Sequence, residues 1–136
     1  MTRNTPLNYI DKTVSVTIPC LNESQNIRKT IEGLVQTLTC VKDYEIIVIN
    51  DGSIDETREI VEAISSKNSK ITLINHSTTM GRGFSIKEGY SLSTKEYLTC
   101  FNGKFDIEPE DAKKISVAFG AQGLVITPHA NTQHRQ

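Results

Sequence analysis

Two short runs, Thr13 to Pro19 (TVSVTIP) and Tyr44 to Ile49 (YEIIVI), set the terms on which this chain can fold. The first is rich in β-branched residues, and the second is an unbroken apolar stretch of the kind found in strands covered on both faces, so both read as parallel strands. Between them Ile27, Ile31, Leu34, Val35 and Leu38 recur at the spacing of an amphipathic helix, with Asn22 and Gln25 placed as its cap. After the second run Ser53 and Glu56 form an S-x-x-E capping box, and Ile60, Val61 and Ile64 supply the buried stripe of a second helix. A third strand is expected over Lys70 to Ile74 and a fourth over Glu96 to Phe101. They are joined through Gly81-Arg82-Gly83 and a helix carrying Ile86, Tyr90 and Leu92. Pro109 opens a further helix with Ala112, Ile115, Ala118 and Phe119 on one side, and Gly123 to Thr127 reads as a fifth strand. Strand and helix alternate throughout. The expected architecture is therefore α/β: a doubly wound, mostly parallel sheet in three α/β/α layers, spanning residues 13–128 between an extension (1–12) and a tail (129–136).

A chain of 136 residues, 37% hydrophobic and 23% charged, suits one domain with a modest core. Its formal net charge of -1 gives no bulk attraction to nucleic acid or to an anionic membrane. Cys20, Cys40 and Cys100 are odd in number, lack metal-ligand spacing and lie in or beside apolar runs, which reads as free thiols in a reducing compartment. The first dozen residues lack the apolar core of a signal peptide, and no apolar run approaches the roughly 20 residues that span a bilayer. A soluble, cytoplasmic chain is expected.

In an open parallel sheet, ligands bind beyond the carboxyl ends of the strands, near the point where strand order reverses. Four segments fall there: Pro19 to Glu23, Asn50 to Ser53, Asn75 to Gly83, and Asn102 to Asp106. Each carries polar groups that core packing does not require. Asp51 sits where a carboxylate can accept hydrogen bonds from a base or sugar; Asn-Asp-Gly is equally the composition of a plain tight turn, and the two readings stand side by side. His76 is a candidate acid or base near neutral pH, but nothing in the sequence pairs it with a nucleophile. Gly81-Arg82-Gly83 lacks the Lys-Ser/Thr ending of a phosphate-binding loop. Asn75-His76-Ser77 also lacks the phosphorylatable Asp that a receiver-type signalling domain needs at its third strand.

Taken in order, P-x-L-N-E, V-I-N-D-G-S-x-D-x-T, M-G-R-G with K-E-G-Y, and N-G-K-F-D with P-E-D resemble the family 2 glycosyltransferases of GT-A fold. Within that family the chain is most similar to the dolichyl- or polyprenyl-phosphate sugar transferases. The resemblance implies a Rossmann-like nucleotide-binding half that holds a nucleotide-diphosphate sugar for inverting transfer, with a polyprenyl phosphate as candidate acceptor. It also admits peripheral association with the cytoplasmic face of a membrane. Pro19, Leu21 and Glu23 match the loop that contacts the nucleotide base and ribose, and Ile49 and Asp51 the strand end that holds the nucleoside, with Asn50 replacing the first Asp of D-D-G-S. Gly81 and Gly83 match a glycine-containing loop before a helix that ends near Gly89; turn geometry accounts for these glycines without a ligand.

The departures fall on the diphosphate. The family's D-x-D carboxylates bind Mg2+ or Mn2+. Counting without gaps puts Asn102-Gly103-Lys104 there; a shift of two puts Cys100-Phe101-Asn102, and neither restores an acid pair. Asp106, two residues on, is the remaining metal candidate, and His129 stands near the position of a phosphate-gripping Arg. Lys104 either replaces the cation by pairing directly with the diphosphate or is a solvated loop lysine in a site that has lost its chemistry. The resemblance assigns no catalytic residue, and the alternative to an enzyme is an inactive nucleotide-binding or interaction module.

Overall fold

The computed structural model describes residues 11–101 and 127–128. Strand β1 (Thr13–Cys20) leads to helix α1 (Ile27–Thr37), which tightens into a 3-10 turn over Leu38–Cys40. Strand β2 (Asp43–Asn50), helix α2 (Thr57–Ser65), strand β3 (Ile71–Asn75), helix α3 (Arg82–Leu92) and strand β4 (Tyr97–Cys100) follow, and Thr127–Pro128 form a short β5. The sheet order is β3-β2-β1-β4-β5. The first four strands are parallel, and β5 pairs antiparallel with β4. The chain builds outward from β1 to β3, then crosses back through α3 to lay β4 on the other side of β1. Strand order thus reverses between β1 and β4, as a doubly wound sheet requires. The expected helix after Pro109 and most of the strand over Gly123 to Thr127 lie outside the described residues.

The two faces of the sheet are built differently. Val14, Val16, Ile18 and Cys20 of β1 join Ile46 and Val48 of β2, Ile27, Ile31 and Leu34 of α1, Leu38, and Val61 of α2 in one core cluster. Each fully buried aliphatic side chain there contributes about 1.5–3 kcal/mol over leaving it exposed. The opposite face of β1 presents Ser15 and Thr17, and α3 meets the sheet with its buried Ser85 and Gly89. A Cβ on Gly89 would lie 2.3 Å from Thr17 Cγ2 and 2.4 Å from Thr17 Oγ1, so only glycine lets this helix lie so close to the central strand.

Several local expectations are corrected. Asn22 does not cap α1: it takes φ 55 and its side chain turns to another loop, while the Glu23 carbonyl receives the amides of Asn26 and Ile27. The Ser53 capping box does not form; Asp55 Oδ1 accepts the Thr57 amide at 3.0 Å as α2 begins. Leu92 is exposed rather than buried. Gly83 belongs to α3 and not to the loop before it, and Gly89 lies inside that helix rather than at its end. Local capping rules failed at Asn22 and Ser53 because tertiary partners compete for the same groups.

Opposite the carboxyl edge, acids clamp the strand starts. Glu45 Oε2 accepts from Ser15 Oγ (2.6 Å) and the Thr94 amide (2.6 Å), and Asp43 pairs with Lys70 and Lys95. The Lys70 and Lys95 hydrogen bonds hold the Asp43 carboxyl far below the usual carboxylate range. This edge fixes where α3 hands over to β4.

Candidate functional site

Three consecutive amides in the loop after β1 are received by alternate side chains in the loop after β2. Asn22 N donates to Ser53 Oγ (2.8 Å), Glu23 N to Thr57 Oγ1 (2.9 Å) and Ser24 N to Asp55 Oδ2 (3.1 Å). The return bond runs from Ile54 N to Asn22 Oδ1 at 2.9 Å. This gives S-x-D-x-T its physical content: its three side-chain oxygens take three successive amides, in crossed order. Burial pushes the Asp55 carboxyl up, but hydrogen bonds from Thr57 and Ser24 outweigh it and bring the group to about 2.

Asn50 ties the next pair of strands. Its Nδ2 donates to Asn75 Oδ1 at 2.8 Å and its Oδ1 accepts the Ser53 amide at 3.1 Å. Asn50 and Asn75 are register partners, so Asp51 and His76 emerge side by side from neighbouring strands. Asp51 Oδ1 lies 2.7 Å from His76 Nδ1 and accepts Met80 N at 2.7 Å, while Oδ2 accepts Gly81 N at 3.0 Å. Thr79 Oγ1 closes the loop on the Asp51 carbonyl at 3.0 Å. Gly52, at φ 84, lets that loop in: a Cβ there would stand 3.0 Å from Thr79 N. The other ring nitrogen of His76, Nε2, lies 2.6 Å from Glu88 Oε1 on α3.

These contacts set the charge states. For Asp51, burial raises the pKa, but His76 and the Met80 and Gly81 amides lower it further, leaving it below its ordinary value. The hydrogen bond that His76 donates to Asp51 raises its pKa; burial opposes this and Glu88 adds to it. Raised His76 stabilises the fold fully below its unfolded pKa of about 6.5, and this contribution is lost as pH rises through the folded value. Depressed Asp51 stabilises above its unfolded pKa of about 3.9, and that contribution is lost as pH falls through the folded value. Thermal melts from pH 5 to 9 are therefore expected to show a decline on the alkaline side that His76→Gln abolishes; an equal decline in both proteins would contradict the assignment.

The sequence-derived site residues divide three ways. Pro19 and Ile49 are buried register partners inside the sheet. Leu21, Glu23 and Asp51 stand at the carboxyl edge: Leu21 is exposed, Glu23 is 9% exposed with a carboxylate that takes no hydrogen bond from the described residues, and Asp51 is turned onto its own loop. Asn102, Gly103, Lys104, Asp106 and His129 lie outside the described residues. Sequence reasoning weighed His76 only as an acid or base without a partner and missed Glu88; the fold brings both to Asp51. The signal available was the matched pair Ile49-Asn50-Asp51 and Ile74-Asn75-His76 at the ends of adjacent strands. Arg82, exposed in the first turn of α3, is near enough to Cys100 at the end of β4 to offset part of the burial that raises that thiol. The three cysteines are free, and burial pushes Cys20 up to about 12. A groove of about 430 Å³ between α1 and α2, lined by Ile31, Val35, Ala63 and Ile64, belongs to the helical layer and not to this edge.

Among the described residues no three His, Cys, Asp or Glu side chains gather as a metal site, and the Asp51 carboxylate is already engaged on both oxygens. No described helix is long and apolar enough to cross a membrane.

The sequence matches the model of the family described as Glycosyl transferase family 2 over residues 15–121. Over 92 residues it is 29% identical to Glycosyltransferase AglD from Haloferax volcanii, covering 65% of this chain and 15% of that protein. S. aureus TarS 1–349 in complex with UDP superposes with a TM-score of 0.62 at 22% identity, covering 79% of this chain and 32% of that one. The mannosyltransferase PcManGT from Pyrobaculum calidifontis, in complex with GDP-Man and Mn2+, gives 0.63 at 16% identity with the same coverage, 79% and 32%. At such identities the structural likeness is one of fold. The chain thus spans a minor part of each of these three proteins.

Proposed function

Because this chain belongs to glycosyl transferase family 2, we propose that it forms the donor-binding part of a glycosyltransferase. A nucleoside-diphosphate sugar would lie across the carboxyl edge of the sheet, at the switch point between β1 and β4. The observation that carries this reading is the pair of interlocked loops that hold Glu23 at that edge with a carboxylate that takes no hydrogen bond from the described residues, which leaves it able to accept from ribose or base. The neighbours TarS, in complex with UDP, and PcManGT, in complex with GDP-Man, support a nucleotide of that class.

Transfer would proceed with inversion, the acceptor attacking the anomeric carbon from the face opposite the leaving diphosphate. A polyprenyl phosphate at the cytoplasmic face of a membrane fits as acceptor, because a phosphate nucleophile needs little general-base help. The residues that the sequence places at D-x-D (an amide, a glycine and a lysine) do not fit Mg2+ or Mn2+, so no step is assigned to a metal. Fixed cations take that place in this reading: Lys104, with Arg82 at the start of α3, would face the charge that develops on the leaving diphosphate. The altered D-x-D positions also support a second reading, an inactive module that retains the nucleotide cleft.

A thermal-shift series with UDP, GDP, CDP and their sugars, with and without Mn2+, tests both. Ligand at 100 times its Kd raises stability by about 2.7 kcal/mol. Turnover of a donor sugar supports the enzyme, a shift without turnover supports the module, and no shift with any of them removes both. Lys104→Asp is expected to lose donor binding, with Mn2+ failing to restore it; unchanged affinity would eliminate the role given to Lys104.

A further inference from the structure

We propose that His76 is a positioning residue of this cleft, an imidazolium wedged between Asp51 and Glu88, and that nucleoside-diphosphate binding weakens when the wedge loses its proton. Nδ1 lies 2.7 Å from Asp51 Oδ1 and Nε2 lies 2.6 Å from Glu88 Oε1. An ionised carboxylate only accepts and a neutral imidazole has one N–H, so the ring makes both contacts at once only when doubly protonated. The His76 side chain is 8% exposed, which keeps water from substituting for either partner. The groups facing it are few. Asp51 comes from the end of β2 and Glu88 from α3, and the Phe84 ring packs against it at 5.6 Å, tilted by 59°. Met80 adds only a backbone amide to the cluster, through Asp51; the Cys20 thiol near Asp51 stays protonated. Among the described residues no cation acts on the ring.

The wedge joins three elements. Asp51 grips the Met80 and Gly81 amides, after which α3 begins with Arg82, and Glu88 lies two turns further along that helix. Loss of the proton breaks one of the two carboxylate contacts, parts the end of β3 from β2 or from α3, and leaves an extra negative charge at an edge meant for an anionic ligand.

This inference rests on the nucleotide reading above, and two readouts keep them apart. One is the affinity for UDP and GDP from pH 6 to 9 in the wild-type chain, His76→Gln and Glu88→Gln. The other is the titration of the His76 ring by NMR, identified among three histidines by its loss in His76→Gln. The expected results are a wild-type midpoint above about 6.5 that falls in Glu88→Gln, and affinity that drops on the order of tenfold through that midpoint. His76→Gln should bind weakly at every pH, and Glu88→Gln, at a 30% exposed side chain, provides a second variant if His76→Gln does not fold. A wild-type midpoint at or below 6.5 overturns the wedge, and equal pH profiles in wild type and His76→Gln overturn the positioning role. If neither nucleotide binds while the midpoint stays high, the nucleotide reading falls and takes the positioning role with it.

Discussion

Gly89→Ala is expected to destabilise the fold by roughly 2 kcal/mol or more, although alanine is the better helix former by about 1 kcal/mol. The new methyl group would stand 2.3 Å from Thr17 Cγ2, 2.4 Å from Oγ1 and 2.9 Å from Cβ. Thr17 cannot step aside: its side chain is short and β-branched, it is fully buried, and it sits on a strand paired on both sides. Helix α3 must therefore lift from the sheet, pulling on the Asp51 loop at one end and the Glu45 contacts at the other. Urea denaturation measures the loss, and Thr17→Ala in the same chain should recover part of it by removing the two nearest atoms. An alanine variant as stable as the parent would show that α3 does not lie this close.

Asp51→Ala should cost about 3–5 kcal/mol, the range for removing one partner of a buried, hydrogen-bonded charge pair. It leaves the Met80 and Gly81 amides without acceptors and strands the His76 proton. Asp51→Asn keeps the shape but not the chemistry, since both carboxylate oxygens accept and either orientation of an amide turns NH2 toward a donor. It should lose somewhat less. Combined with His76→Gln, either change should fall short of additivity, because the two residues share one interaction. Full additivity in the denaturation midpoints would mean that the 2.7 Å contact carries no energy.

The strands were legible because parallel, doubly covered segments leave runs such as EIIVI that few other structures tolerate. Helices α1 and α2 were legible from periodicity, with Ile27, Ile31, Leu34 and Val61 all fully buried. Helix α3 was legible only in outline. Its inward line is Ser85 and Gly89, while Phe84 and Leu92 are exposed, so hydrophobic periodicity carries no sign of its packing. The caps were misread because Ser53 and Asn22 are engaged with each other's loops, and no local rule sees a partner about thirty residues away. The Asp51–His76–Glu88 cluster escaped for the same reason. Its acids and its imidazole are separated by 25 and 12 residues and meet only once strand register is known.

The stitched pair of loops has an evolutionary corollary. The three partnerships cross, Asn22 on Ser53, Glu23 on Thr57 and Ser24 on Asp55, so gaining or losing a residue in either segment would disturb several of them together. Insertions are thereby expected to be tolerated better in connections that carry no such bonds, whereas the exposed side chains of Leu21 and Ile54 can change at unchanged spacing without touching them.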